Sequence, residues 1–276
     1  MYSMSVNNGR TLISLLIPSS ITEESFDPRI KTYKIGQVAR AAAIFRADEV
    51  VVYKTKHLDD SKFISTVLRY AETPQYLRKE LFPMQDALRN IGVIPPLKIP
   101  SHTVTEDEEY REGIVTKVGT DRSVWVDVGF DSPVLLEDAK NVHTGQRVTV
   151  RIYLRRPIKV QLVNKSDVPS YWGYDVRVVN TLREALDTDG LRIATSRLGE
   201  TLDAELQSEI KSKVRDKVSI AFGSPSTGLE SLLEDEGHKL TDHSDYVVNS
   251  VPRQGTATVR SEEAIYITLG ILNLLW

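Results

Sequence analysis

Three stretches in the last third of the chain put polar and glycine residues where buried strands should end. Ile193-Ala-Thr195 runs into Ser196-Arg197-Leu198-Gly199, and Val218–Phe222 runs into Gly223-Ser224-Pro225-Ser226-Thr227-Gly228. Val247-Val248-Asn249 runs into Ser250-Val251-Pro252 and on to Arg260. In open α/β sheets a ligand binds beyond the carboxyl ends of the strands, so three such loops side by side would build one pocket. The second loop lacks the Gly-Lys-Ser/Thr of a phosphate loop and is not Gly-x-Gly-x-x-Gly. Its glycines let backbone approach a ligand and its proline fixes a turn, although a plain strand-to-helix turn has the same composition. The third loop gathers Gln254, Gly255, Thr256, Thr258 and Arg260 before a helix that opens with Ser261-Glu262-Glu263. Acids in a first helical turn are favoured by the macrodipole in any case.

Other chemistries are excluded more simply. There is no cysteine, which removes disulfides, thiolate metal sites and a cysteine nucleophile together and suits a reducing, cytoplasmic setting. The five histidines, at 57, 102, 143, 238 and 243, share no metal-ligand spacing, so no metal is expected. The net charge of −3 shows no overall nucleic-acid footprint, so any such surface must be local. Two places qualify. Residues 27–56 hold seven basic residues against three acidic ones, a local +4. Further on, Arg147, Arg151, Tyr153 and Arg155 share one face of a period-two run, opposite Val148, Val150, Ile152 and Leu154. Cations beside an aromatic on a barrel strand suit phosphates and stacked bases, while the wet face of any half-buried strand reads the same way.

The elements that must carry these residues follow from periodicity. Residues 1–10 read as a loose arm. Leu12–Ile17 and Val50–Tyr53 are buried strands, and Ile35, Val38, Ala39 and Ala42 have helical spacing. Ser61–Ala71 reads as a helix, and Thr73-Pro74 as the cap and first turn of a short one through Tyr76, Leu77 and Leu81. Ile94–Pro100, with three prolines in seven residues, is a stiff linker. The pattern then changes to period two. Ile114–Val118, Val124–Val128, Val134–Leu136, Val148–Leu154 and Ile158–Leu162 make five short strands, the mark of a small barrel. Strand–helix alternation resumes after Pro169 with strands at Val176–Val179, Ile193–Thr195, Val218–Phe222 and Val247–Val251. The helices there are a face of Leu202, Leu206, Ile210 and Val214, a short one at Gly228–Leu233, and Glu262–Leu275. The last is apolar almost all round but too short to span a bilayer, so it reads as a core helix or one that also packs across a dimer interface. The expected architecture is an α/β domain over 1–98 and 167–276 interrupted by a β-barrel over 99–166.

Asn249-Ser-Val-Pro-Arg-Gln-Gly-Thr-Ala-Thr-Val-Arg-Ser-Glu-Glu-Ala264 resembles the signature of a SPOUT-superfamily branch, the RNA methyltransferases with an OB-fold insertion found in archaea and eukaryotes. Phe222–Gly228 is similar to that branch's glycine loop. Phe26–Thr32 with Gly36–Phe45, and Thr73–Pro83, resemble two more of its motifs. Ala257, with Ser261 nearby, departs from the pattern, where Glu and Thr are expected. The resemblance implies a deep trefoil knot in a mainly parallel α/β sheet, with an inserted OB-like barrel that binds RNA. It implies S-adenosylmethionine held by the knot loops at Thr195, Ser196, Arg197, Phe222, Gly223, Ser224, Gly228, Asn249, Ser250, Val251, Gln254, Gly255, Thr256, Thr258 and Ala264. It also implies a homodimer with the site near the subunit interface, and a ribosomal RNA uridine methylated at a ring nitrogen.

Methylating an imide nitrogen calls for a cation near the uracil carbonyls to stabilise the developing anion. Arg29, Arg40 and Arg260 are the catalytic candidates. Arg40 lies off its helix's apolar stripe and so should face outward, as a plain solvated arginine also would. For a general base, Asp27, Glu262 and water all stay open. A non-catalytic RNA-binding or ribosome-assembly factor that keeps the fold is the alternative. A nucleotide-binding α/β protein is disfavoured by the missing phosphate loop.

Overall fold

A computed structural model describes residues 10–103, 105, 108–121, 123–137, 139 and 141–276. The arm expected over 1–10 lies, Arg10 apart, outside them. The first strands, β1 (Leu12–Pro18) and β2 (Glu49–Tyr53), are apolar runs buried at nearly every residue, as strands covered on both faces must be. Between them runs α1 (Pro28–Ile44). Asp27 accepts a hydrogen bond from the Arg29 amide at its start, and Pro28 fills the first turn. Its Ile35, Val38, Ala39 and Ala42 are fully buried. Helix α2 (Ser61–Glu72) begins where Asp59 accepts from the Ser61 amide. In the short α3 (Gln75–Leu81) the cap position falls on Pro74, one residue later than the Thr-Pro pair suggests.

The period-two segment folds as read. Strands β3 (Tyr110–Val118), β4 (Val124–Asp127), β5 (Val134–Glu137), β6 (Arg147–Arg155) and β7 (Ile158–Val163) close into a barrel in the order β3-β4-β5-β7-β6. Val124, Val126, Leu136, Val150 and Val160 fill its core. Two charged side chains of β3, Arg111 and Glu112, are buried in this wall. Glu112 on β3 is 3% exposed. It accepts from the Arg147 Nε at 2.6 Å, the Thr149 hydroxyl at 2.7 Å and the Trp172 indole at 2.5 Å. A buried carboxylate is tolerable only with such a full set of donors. Residues 73–85 group with the barrel, and there the Tyr76 hydroxyl donates to the Glu112 carbonyl at 2.8 Å.

The chain then completes the sheet with β8 (Asp175–Val179), α4 (Leu182–Leu186), β9 (Leu191–Thr201), α5 (Ala204–Lys213), β10 (Lys217–Ala221), α6 (Leu229–Glu234), α7 (Leu240–His243), β11 (Tyr246–Asn249) and α8 (Ser261–Leu272). Six strands lie in the order β11-β9-β10-β1-β2-β8, and every neighbouring pair is parallel. The protein is thus a parallel α/β sheet with its own core and a five-stranded barrel with another. These are two compact units, the sheet unit comprising 10–72, 86–97 and 174–276 of the described residues, the barrel unit the rest.

Of the two readings of helix α8, core alone does not account for its burial. Ile265, Leu269 and Leu272 are buried, but Ile267 is exposed and Leu274, just past the helix, is 73% exposed, so one face stays open. Among the described residues no helix is long and apolar enough to cross a membrane.

Glu112→Ala should destabilise the barrel unit by about 3–5 kcal/mol, because the Arg147 charge and the buried Trp172 and Thr149 donors lose their acceptor. Chemical denaturation followed by tryptophan fluorescence measures this, and a loss below 1 kcal/mol contradicts it.

Candidate functional site

The first of the three loops is a detour within a strand. Ile193 and Ala194 of β9 pair with Tyr246 and Val247 of β11, but the next pairs are Glu200 with Val248 and Thr201 with Asn249. Residues 195–199 therefore bow out of the ladder, and β9 runs on to Thr201 where the sequence reads a loop from Ser196. The Thr195 hydroxyl donates to the Ala221 carbonyl at 2.9 Å, and the Asn249 amide group donates to the Arg197 carbonyl at 2.7 Å. Gly199 permits the return. A Cβ there would stand 2.7 Å from the Val247 carbonyl oxygen, closer than any side chain allows.

The second loop leaves β10 through Phe222, which is held at both ends. Its amide donates to the Leu16 carbonyl at 2.9 Å, and its carbonyl accepts from the Tyr53 hydroxyl at 2.6 Å. Burial, reinforced by the charge of Glu236, raises the Tyr53 hydroxyl well above its ordinary pKa, so it remains a donor. The chain then turns on itself. The Ser224 amide donates to the Thr227 carbonyl at 3.0 Å, and the Thr227 amide to the Ser224 hydroxyl at 3.0 Å. A Cβ on Gly223 would come within 3.1 Å of the Thr227 carbonyl oxygen, so the loop's own backbone occupies the space beside this glycine. The Ser226 amide reaches the Glu23 carboxylate at 2.8 Å.

The third loop is stapled internally. Gln254 donates to the Thr256 and Ala257 carbonyls at 3.0 and 3.2 Å, and the Thr256 hydroxyl to the Thr258 carbonyl at 3.0 Å. The Ser250 and Thr268 hydroxyls meet at 2.8 Å, tying the loop's start to α8. The Arg260 amide donates to Glu263 at 3.0 Å as the helix begins.

Together the loops border an open cavity of about 510 Å³, within the ~300–1,000 Å³ usual for small-molecule sites. From the first loop Thr195, Ser196 and Arg197 line it, and from the second Phe222, Gly223, Ser224 and Gly228. From the third come Asn249, Ser250, Val251, Gln254 and Thr258, with Ala264 of α8. Gly255 and Thr256 are exposed and stand outside the lining. Sequence reasoning passed over Leu198, an apolar side chain 89% exposed at the cavity's edge, and Glu230 of α6. Position alone was the available signal for Leu198, which sits between Arg197 and Gly199. Arg197 and Glu230 are the charged residues of the lining; hydroxyl, amide, backbone and apolar groups make up the remainder.

The three proposed catalytic arginines are not in that lining. Arg29 is exposed in the first turn of α1, and Arg260 is exposed just before α8. Arg40 is half-buried instead of outward-facing, because its guanidinium donates to the Pro96 and Leu97 carbonyls at 3.2 and 2.8 Å. Of the base candidates, Asp27 caps α1. Glu262 lies 3.1 Å from the buried Lys34 ammonium, which also pairs with Glu24 at 2.7 Å.

On the barrel, Arg151, Tyr153 and Arg155 are exposed. Arg151 pairs with Glu109 at 2.5 Å, Arg155 donates to the Glu108 carbonyl at 2.7 Å, and the Tyr153 hydroxyl meets Glu137. Arg147 differs from them, its guanidinium being engaged by the buried Glu112. Leu154 faces solvent where inward packing was expected, because the β6–β7 register shifts between Ile152 and Leu154. Among the described residues no cluster of His, Asp and Glu could hold a metal ion, and the His238 and His243 rings stack edge-on at 5.0 Å.

Residues 12–272 match the family described as "Putative RNA methyltransferase". The chain is similar to an uncharacterized protein of Halobacterium salinarum, at 41% identity over 95% of this chain and 98% of that one. It is also similar to the 28S rRNA (uridine-N(3))-methyltransferases of Mus musculus, 34% identical over 97% of this chain and 77% of the relative, and of Homo sapiens, 33% identical over 95% and 77%.

Tyr53→Phe should lower stability by about 1–3 kcal/mol, because the Phe222 carbonyl is left without its buried donor. Thermal unfolding reads this as a fall of several degrees, and an unchanged midpoint would show that the hydroxyl does not hold the loop.

Proposed function

Because the chain belongs to that RNA methyltransferase family, we propose that it methylates ribosomal RNA with S-adenosylmethionine as donor, at a ring nitrogen of a uridine. The observation that carries this reading is the cavity bordered by the detour within β9 and the loops that follow β10 and β11. Its lining fits the donor chemically. Hydroxyl and backbone groups suit a ribose and the edge of an adenine, and the exposed Leu198 suits its flat face. One cation and one acid, Arg197 and Glu230, suit the two charges of an amino-acid end. Bound there, the donor supplies a methyl group already activated on a sulfonium. The mammalian relatives' name, 28S rRNA (uridine-N(3))-methyltransferase, supports the choice of base and atom.

What remains for the protein is to align the acceptor and favour its anion. Arg29 and Arg260 are exposed and available to a site completed by a second subunit; Arg40 is tied to carbonyls of its own chain. A homodimer is part of this proposal, supported by the open apolar face of α8 and by exposed Ile30 and Tyr33 on α1, the helix it packs against. The trefoil knot belongs to the same proposal, supported by the family and by three consecutive strands bringing their loops to one end of the sheet. A non-catalytic RNA-binding assembly factor is the second reading, favoured by the position of all three proposed catalytic arginines outside the lining of a single chain.

Calorimetry should show S-adenosylmethionine binding with S-adenosylhomocysteine competing. Nucleoside mass spectrometry of ribosomal RNA should show a methyluridine that disappears when the gene is deleted. Donor binding with unchanged rRNA supports the second reading, and no binding at millimolar donor defeats both halves of the enzyme proposal.

Light scattering at micromolar concentration should give twice the chain mass. Replacing Tyr33 and Ile267 with Lys should give monomers, and a wild-type monomer refutes the dimer.

A further inference from the structure

The turn in the second loop leaves one amide to be accounted for. Pro225 has none, and the amides of Ser224 and Thr227 are taken up within the turn. Ser226 is the remaining donor, and a loop amide without a partner turns to water or a new turn. It finds Glu23 Oε1 at 2.8 Å, across 203 positions of sequence. Glu23 stands just past β1, and its other oxygen meets His57 Nε2, just past β2, at 2.6 Å. Neither residue lines the cavity, so neither is placed to touch what binds there. Burial acts to raise the Glu23 pKa, but hydrogen bonds from Ser226 and His57 outweigh it and leave the carboxyl below its ordinary value, hence ionised. A backbone amide bonded to a carboxylate is held more tightly than one bonded to a neutral oxygen.

We propose that Glu23 is a positioning residue for the methyl donor: braced by His57, it takes the Ser226 amide and fixes the second loop in the shape that lines the cavity. This rests on the reading of that cavity as the donor site. A loop released from Glu23 spreads over several turn conformations. Apparent affinity then falls by the fraction of chains that keep the competent one, while the chemistry of a bound donor is untouched.

The test compares wild type, Glu23→Ala and Glu23→Gln for calorimetric S-adenosylhomocysteine affinity, KM and kcat on ribosomal RNA, melting temperature, and amide exchange over 223–228. Glu23→Ala should weaken donor affinity about tenfold, raise the donor KM to match and leave kcat within about twofold, the size of one charge-assisted hydrogen bond. Its Ser226 amide should exchange faster at little change in melting temperature. Glu23→Gln keeps an acceptor oxygen and should recover most of the affinity. Wild-type affinity and exchange in Glu23→Ala overturn the proposal alone, and so does Glu23→Gln binding as poorly as Glu23→Ala. If wild type binds no donor, the reading of the cavity fails and takes this proposal with it. Should Glu23→Ala not fold, Glu23→Asp decides, since its shorter reach must weaken donor affinity at an unchanged melting temperature, and wild-type affinity there overturns the role.

Discussion

Between β9 and β11 the parallel ladder advances one residue on one strand and six on the other, from Ala194–Val247 to Glu200–Val248. Everything at the candidate site depends on this step. In a regular strand, Ser196, Arg197 and Leu198 would alternate above and below the sheet, two of its faces already filled by apolar packing. Ejected together from the ladder, they can meet the loops that follow β10 and β11. The detour is closed by backbone contact, since Gly199 lies against the Val247–Val248 peptide where a Cβ has no room. It is tethered at each end by side chains of its neighbours, Thr195 to Ala221 and Asn249 to Arg197. The cavity is therefore a property of strand register first and of side-chain identity second.

The same economy holds in the second loop. Phe222 is the last residue to follow the sheet, bonded to β1 through its amide and to β2 through its carbonyl. A buried tyrosine hydroxyl is costly unless paired, so Tyr53 and the Phe222 carbonyl specify one another's position. The residues that line the cavity are thus held by residues that do not touch it. Preorganisation of this kind spares a ligand the cost of ordering the loop when it binds.

What was legible in the sequence follows from the range of the forces involved. Val124–Val126–Val128 and Val148–Val150–Ile152 announce barrel strands because burial on one face imposes period two locally. Phe222–Gly228 and Pro252–Gly255 announce turns because glycine and proline act on their own dihedrals. The length of β9 was not legible, because Ser196–Gly199 has loop composition and only pairing with β11 shows the strand continuing to Thr201. Arg40 has the helical phase of a solvated residue, yet two carbonyls 56 and 57 positions away pull it in. Glu23 and Tyr53 sit in segments with no motif, and their partners lie about 200 and 170 residues distant. What covers the open face of α8 was not legible for a related reason. Apolar residues all round a helix say that it should be covered, not that its own chain does the covering.

The barrel's charges separate into two kinds with different consequences for RNA. Arg147 is bound to a buried carboxylate, and withdrawing it would leave Glu112 uncompensated, so it cannot be lent to a phosphate. Arg151 is also paired, but on an exposed surface where such pairs contribute only about 0–1 kcal/mol, and a phosphate can take Glu109's place at little cost. Arg155, on the same exposed surface, donates to the Glu108 carbonyl. Arg151 and Arg155, the exposed cations beside Tyr153 on this strand, make a small electrostatic footprint in a chain of net charge −3. Each neutralised phosphate contributes a slope of roughly 0.9 or less in the salt dependence of binding, so contact through this face alone should respond only gently to salt. Selective engagement of a ribosomal RNA segment by this family member would then lean on stacking at the tyrosine and on the shape of the folded target more than on charge.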